Sequence, residues 1–179
     1  MARVTQIEED THPELVDLME RIRGARRGRL INVYKLLLHS PALAESWFAH
    51  NNAVRWKTGL DGRLRELVIV RIGYLARVPY IVGQHVPRLA IPEGLTLAEC
   101  DGLKDWEGSP LFSTRDRAVL AYADSMTLDI HVPAPVFTGL KPHFDERGLV
   151  ELTVLIGTYN MHARVMQALE IDPEPAGPD

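Results

Sequence analysis

Sulfur is scarce in this 179-residue chain, which has a single cysteine, Cys100. One thiol cannot close an intrachain disulfide, so a secreted disulfide framework is excluded. No Cys-x-x-Cys pair exists for two-thiol redox chemistry or for a zinc knuckle. Cys100 lies in LTLAEC without a neighbouring histidine or basic residue, and it reads as a buried small hydrophobe rather than a nucleophile. Charge of one sign is also lacking. The formal net charge is −4, which leaves no electrostatic footprint for DNA or RNA, so no nucleic-acid partner is expected. The basic cluster Arg21, Arg23, Arg26, Arg27 and Arg29 follows Glu14, Asp17 and Glu20, and reads as a solvated or subunit-facing helix end. No apolar run approaches the ~20 residues of a membrane span. The opening MARVTQIEEDTHPEL lacks the apolar core of a signal peptide, so a soluble, cytoplasmic protein without membrane contact is expected. His12, His39, His131 and His143 are scattered at element ends, and the glycines form no phosphate loop. Neither a metal nor another cofactor is expected.

Alternating strand patterns are missing too, and what remains is helical periodicity from end to end. Thr11-His12-Pro13 offers a capping residue and a first-turn proline for a helix carrying Leu15, Leu18, Met19 and Ile22. A short helix over about 30–39 follows, then one from Ser40-Pro41 that turns Leu43, Trp47, Phe48 and Val54 inward. The run from Leu67 to Ala76 is apolar on nearly every side except at Arg71, and so reads as a helix covered on most faces. Pro79 starts the next helix, and Pro87 removes a hydrogen bond to the Gly83 carbonyl, predicting a bend. Thr96, Ser113 and Asp145 each sit where a helix N-terminus is expected, the last opening a long helix over 149–169. The pattern predicts one all-α domain of about eight helices spanning 1–179, ending in a loose, proline-rich tail at 172–179.

Within this frame one constellation carries chemistry. Glu66 and His85 stand nineteen positions apart, on either side of the apolar run, with Tyr80 and Gln84 close by. If the two helices pack antiparallel across Arg77-Val78-Pro79, the carboxylate and the imidazole meet at one open end. Gly73 permits close approach of the second helix. A carboxylate beside an imidazole fixes its tautomer and suits it to general acid–base work. Tyr80 would complete a proton relay or bind a ligand oxygen. Arg71 either holds a substrate carboxylate or pairs with Glu66, Glu151 or another subunit. The competing reading is a structural ion pair inside a helical core. Trp47 and Trp56 read as aromatic packing, His50-Asn51-Asn52 as lining a pocket mouth, and His162 as a surface or interface histidine.

At these residues the chain resembles the carboxymuconolactone decarboxylase family, whose superfamily includes the alkylhydroperoxidase D proteins. The resemblance rests on Arg65-Glu66-Leu67 through Arg71 and Gly73, on Tyr80 with Gln84-His85-Val86-Pro87, and on Leu149-Val150-Glu151-Leu152 followed by Ile156-Gly157 and Tyr159. It covers about 40–170. It implies the alkylhydroperoxidase D-like helical fold, self-association, and Tyr159 near the pocket as a substrate-binding residue beside Arg71 and Gln84. It also maps the glutamate and the last histidine of the alkylhydroperoxidase D proteins onto Glu66 and His85. The family's two thiols fall at Val78 and Ile81, and its middle histidine at Tyr80, so the proton relay is retained without its redox sulfurs. Peroxide reduction needs a thiolate to attack the O–O bond. The resemblance therefore implies a thiol-independent, cofactor-free acid–base enzyme of lyase (decarboxylase) or isomerase type acting on a small organic acid or lactone. Glu66, His85 and Tyr80 are its expected catalytic residues. A non-catalytic binding or scaffold member is the alternative, and an alkylhydroperoxidase is disfavoured by the missing thiols.

Overall fold

In a computed structural model the chain is described over residues 1–8, 10–26 and 28–175. Arg27 of the basic cluster and tail residues 176–179 lie outside the described residues. Every regular element among the described residues is helical, and none is long and apolar enough to cross a membrane. Nine α-helices follow one another among the described residues: α1 (Val16–Gly24), α2 (Asn32–Leu37), α3 (Pro41–Trp56), α4 (Gly62–Leu75), α5 (Pro79–His85), α6 (Leu97–Gly102), α7 (Thr114–Asp124), α8 (Ala134–Thr138) and α9 (Glu146–Ala168).

Helix α4 is the axis of the fold. The Asp61 side chain caps its start, accepting from the Leu64 amide at 2.8 Å. From Leu64 to Gly73 every residue is buried, against α5, α7 and α9. A helix apolar all round needs protein on all sides, and α4 has it. Arg77, with φ of 54°, turns the chain back after α4. Gly73 then lets α5 come close: a Cβ there would lie 3.0 Å from Ile81 Cγ2 and 3.1 Å from Val82 Cγ2. The bend expected at Pro87 takes the form of a π turn over Val86–Ala90, which widens the ladder immediately after His85. Such turns are rare and concentrate at functional sites.

Capping boxes start α6 at Thr96 with Glu99 and α7 at Ser113 with Asp116, and Asp145 caps α9 through the Gly148 amide at 2.7 Å. Three expectations fail. Thr11 caps nothing: its hydroxyl donates to the Glu8 carbonyl at 2.9 Å, and Pro13–Leu15 is a 3₁₀ turn. Leu43 is 60% exposed: α3 buries Val54 as expected, but with Ala44, Asn51 and Arg55 rather than Leu43. The tail is tied down as far as Glu174. Asn32 Nδ2 donates to the carbonyls of Asp172 and Pro173, both at 3.1 Å, and Glu174 accepts from the Asn32 amide at 2.8 Å.

Candidate active site

Three helices bring the site together. Helix α3 presents Trp47, Asn51 and Arg55 at four-residue spacing, α5 presents Gln84 and His85, and α9 presents Tyr159, His162 and Met166. With the α1–α2 loop and the π turn they enclose a cavity of about 160 Å³. Glu66, one and a half turns into α4, lies behind its wall and is 0% exposed.

The Glu66 carboxylate is fully engaged. Its Oε2 lies 2.6 Å from His85 Nδ1, and its Oε1 accepts from Arg55 Nη2 at 2.9 Å and stands 3.5 Å from Arg65 Nε. Arg55 Nη1 continues the network by donating to the Tyr159 hydroxyl at 2.7 Å. Arg65 is held by the Arg55 carbonyl at 3.0 Å and by Glu93 at 2.9 Å. Both guanidiniums lie over the Trp56 indole, at 4.9 and 5.0 Å from its centroid. The His85 ring meets Tyr159 edge-on at 5.5 Å.

These contacts fix the protonation states. Burial would raise the Glu66 pKa, but His85, Arg55 and Arg65 outweigh it and bring it down to about 2. Burial lowers the His85 pKa, and the Arg55 and Arg26 charges push the same way against the opposing pull of Glu66. Glu66 is thus ionised and His85 neutral near pH 7. Because the carboxylate takes the Nδ1 hydrogen, Nε2 keeps its lone pair, and it has no hydrogen-bond partner among the described residues. Tyr159 is buried and its pKa is raised, so it stays a neutral phenol.

The structure brings Glu66, His85 and Tyr159 into one network and places Gln84 on the cavity wall. Tyr80 also lines the cavity, but its hydroxyl donates to Glu174 in the tail rather than to His85 or Glu66, so the expected proton relay is not formed. Arg71 is elsewhere altogether. It grips Asp124 with two bonds of 2.8 and 2.6 Å and donates to the carbonyls of Leu103 and Lys104, which ties α4 to α7 and leaves nothing for a substrate. The buried cation of the site is Arg55, which the sequence reading overlooked. Its signal was the stripe Trp47, Asn51, Arg55, two polar residues aligned with an aromatic on one helix face. His162, expected at the surface or at an interface, is 2% exposed and lines the cavity. Arg26 and Arg29, expected in a solvated helix end, line it too, while Arg21 pairs with Glu45 at 2.8 Å outside. Arg88 completes a lining that has four arginines and, among the described residues, no aspartate or glutamate.

Thiol chemistry has no place in this geometry. Val78 and Ile81 are buried apolar residues, and Cys100 is 2% exposed with its pKa raised by burial. Among the described residues no three His, Cys, Asp or Glu side chains are grouped to hold a metal ion.

Known proteins share the family and the fold. Residues 41–125 match the model of the carboxymuconolactone decarboxylase family. The uncharacterized protein YnjA of Escherichia coli K12 is 34% identical over 118 residues, which are 65% of this chain and 64% of that protein. The match thus spans less than two thirds of its length. A solved structure of a protein of unknown function from Agrobacterium tumefaciens, related there to the antioxidant-defence protein AhpD, superposes with a TM-score of 0.73 at 25% identity, covering 78% of this chain and 95% of that one. An uncharacterized peroxidase-related protein from Silicibacter sp. TM1040 superposes with a TM-score of 0.82 at 20% identity over 97% and 92% of the two chains, which is a likeness of fold.

Proposed function

We propose that this chain, a member of the carboxymuconolactone decarboxylase family through residues 41–125, is an acid–base catalyst acting on a small organic acid, with His85 as the group that moves the proton. The observation that carries the reading is the Glu66–His85 pair of 2.6 Å, set at a cavity lined by arginines and free of carboxylates among the described residues. A cleft lined by positive charge selects an anion. At about 160 Å³ the cavity compares with an engineered one of about 150 Å³ that takes up benzene, so the ligand is small.

The chemistry follows from the tautomer. Glu66 holds the Nδ1 hydrogen, so Nε2 faces the reaction as a base and takes a proton from carbon beside a carbonyl. The buried carboxylate, itself neutralised by Arg55 and Arg65, stabilises the imidazolium that results. Returning that proton to a second carbon gives an isomerase. In a decarboxylase no C–H proton is taken first: the C–C bond to the carboxylate breaks, and its electron pair stays on carbon as CO₂ leaves. The imidazole then passes that carbon a proton drawn from water, and a lactone acid or β-keto acid suits either reaction. Arg26, Arg29 and Arg88 would hold the substrate carboxylate, with Gln84 at hand for a further oxygen. Hydroperoxide reduction is not proposed, because no thiol lines the pocket among the described residues.

The test is solvent-deuterium incorporation and CO₂ release from a panel of carboxylated lactones and β-keto acids, with wild type beside His85→Ala. The expected result is turnover that falls at least ~100-fold in the variant, as for loss of a general base, while its circular dichroism is retained. Rates unchanged by the substitution would remove His85 from the reaction. Binding of panel members without any exchange would favour the non-catalytic binding reading.

A further inference from the structure

The cavity has a polar wall that the acid–base pair does not use. Trp47, Asn51 and His162 line it, and Trp47 Nε1, Asn51 Oδ1 and His162 Nε2 are buried without a hydrogen-bond partner among the described residues. Asn51 is 7% exposed and His162 2%. Leaving one such group unpaired costs about 1–3 kcal/mol, and native proteins contain few of them. Three on one wall of one cavity mark a place where a ligand supplies the missing partner.

Their chemistry says which partner. Indole N–H only donates, and an amide oxygen only accepts. His162 stays neutral near pH 7, because burial, followed by His85, His50, Arg26 and Arg55, pushes its pKa down to about 3. A carboxylate has no hydrogen to give Asn51 Oδ1, and an ammonium cannot accept from Trp47. A hydroxyl does both. The wall is also rigid: the Trp47 and His162 rings stack at 4.4 Å, and Tyr159 packs between His162, at 4.9 Å, and His85, at 5.5 Å. It comes from α3 and α9, whereas Arg26, Arg29 and Arg88 come from the α1–α2 loop and the π turn. Between these two sets the lining is mostly apolar, with aliphatic Ile31, Val33, Ile81 and Leu89 beside the rings of Tyr34 and Tyr159, a surface that suits a flat apolar ring.

We infer that the cavity takes a single-ring aromatic acid bearing a hydroxyl, with the carboxylate among Arg26, Arg29 and Arg88 and the hydroxyl on Trp47 Nε1, Asn51 Oδ1 and His162. This rests on the proposed function only in its choice of an anionic ligand, and it adds the ring and the second polar group.

Calorimetric titration of the full chain with benzoate, 3-hydroxybenzoate, 4-hydroxybenzoate and pyruvate tests it. At least one hydroxybenzoate is expected to bind about tenfold tighter than benzoate, the worth of one buried hydrogen bond. In Trp47→Phe and in Asn51→Leu that preference should fall below about threefold while benzoate affinity holds. The wild-type comparison needs no variant, so a folding defect in either leaves the test intact. Equal affinity for benzoate and both hydroxybenzoates overturns the subsite and leaves the anion reading standing. A preference that survives both substitutions also overturns it, since the wall then holds only water. Binding of pyruvate without any benzoate overturns the aromatic ligand alone. Failure of all four acids overturns the inference and the acid-binding half of the proposed function together.

Discussion

Lowering the pH from 7 to 5 isolates one consequence of the buried His162. Its pKa is pushed from the ordinary 6.5 down to about 3 by burial first and then by neighbouring His85, His50, Arg26 and Arg55. Above pH 6.5 the side chain is neutral in both the folded and the unfolded chain, and its contribution to stability is fully present. Between 6.5 and about 3 the unfolded chain takes up a proton that the folded one refuses, so stability falls as pH falls. Each pH unit in that window is worth about 1.4 kcal/mol, so the loss at pH 5 is about 2 kcal/mol from this ring alone. His85, whose pKa is also lowered, acts in the same direction. Glu66, held at about 2, does not titrate in this range. The measurement is urea unfolding at pH 7 and pH 5 for wild type and His162→Phe, which keeps a ring against Trp47 but has no titrating nitrogen. Wild type should lose about 2 kcal/mol more than the variant over this interval. Identical pH dependence would refute the reasoning, and would mean that the cavity wall admits a charged imidazole without penalty.

Two further outcomes follow from the packing around α4. Arg71→Met should lower stability by roughly 3 kcal/mol, read from thermal or urea unfolding, because it leaves Asp124 with only the Trp106 indole at 3.0 Å and abandons two carbonyls. Ligand affinity in the remaining folded protein should be unchanged; a loss of affinity without a loss of stability would restore Arg71 to the site. Gly73→Ala should cost about 1–3 kcal/mol by forcing α5 off α4. It should also weaken the 2.6 Å contact of His85 with Glu66, seen as a shifted nitrogen resonance of His85; an unmoved resonance would mean that α5 yields elsewhere.

The parts of this architecture that the amino-acid order discloses are those governed by nearby residues. Thr96 with Glu99, Ser113 with Asp116 and Asp145 with Gly148 are contacts within one turn, and each start was readable from local pattern. The burial of α4 was readable because its composition permits no exposed face. The meeting of Glu66 with His85 followed from one short turn between two helices. What stayed hidden depends on partners distant along the chain. Arg71 finds Asp124 across 53 positions, Arg55 finds Tyr159 across 104, and Tyr80 finds Glu174 across 94. No spacing rule chooses among the acids and phenols available at such separations. Leu43 failed differently: α3 carries apolar residues on more than one face, and the positions of α9, α2 and α1 decide which face is inside.

Two of the three tryptophans sit where light could report on this chemistry. Trp56, half open to solvent, carries the guanidiniums of Arg55 and Arg65 on its ring, so its emission senses whether the ion pairs behind Glu66 are intact. Trp47, stacked on His162 at the cavity wall, senses what enters. The molecule thus contains its own pair of optical gauges, one for the buried charge network and one for the cavity.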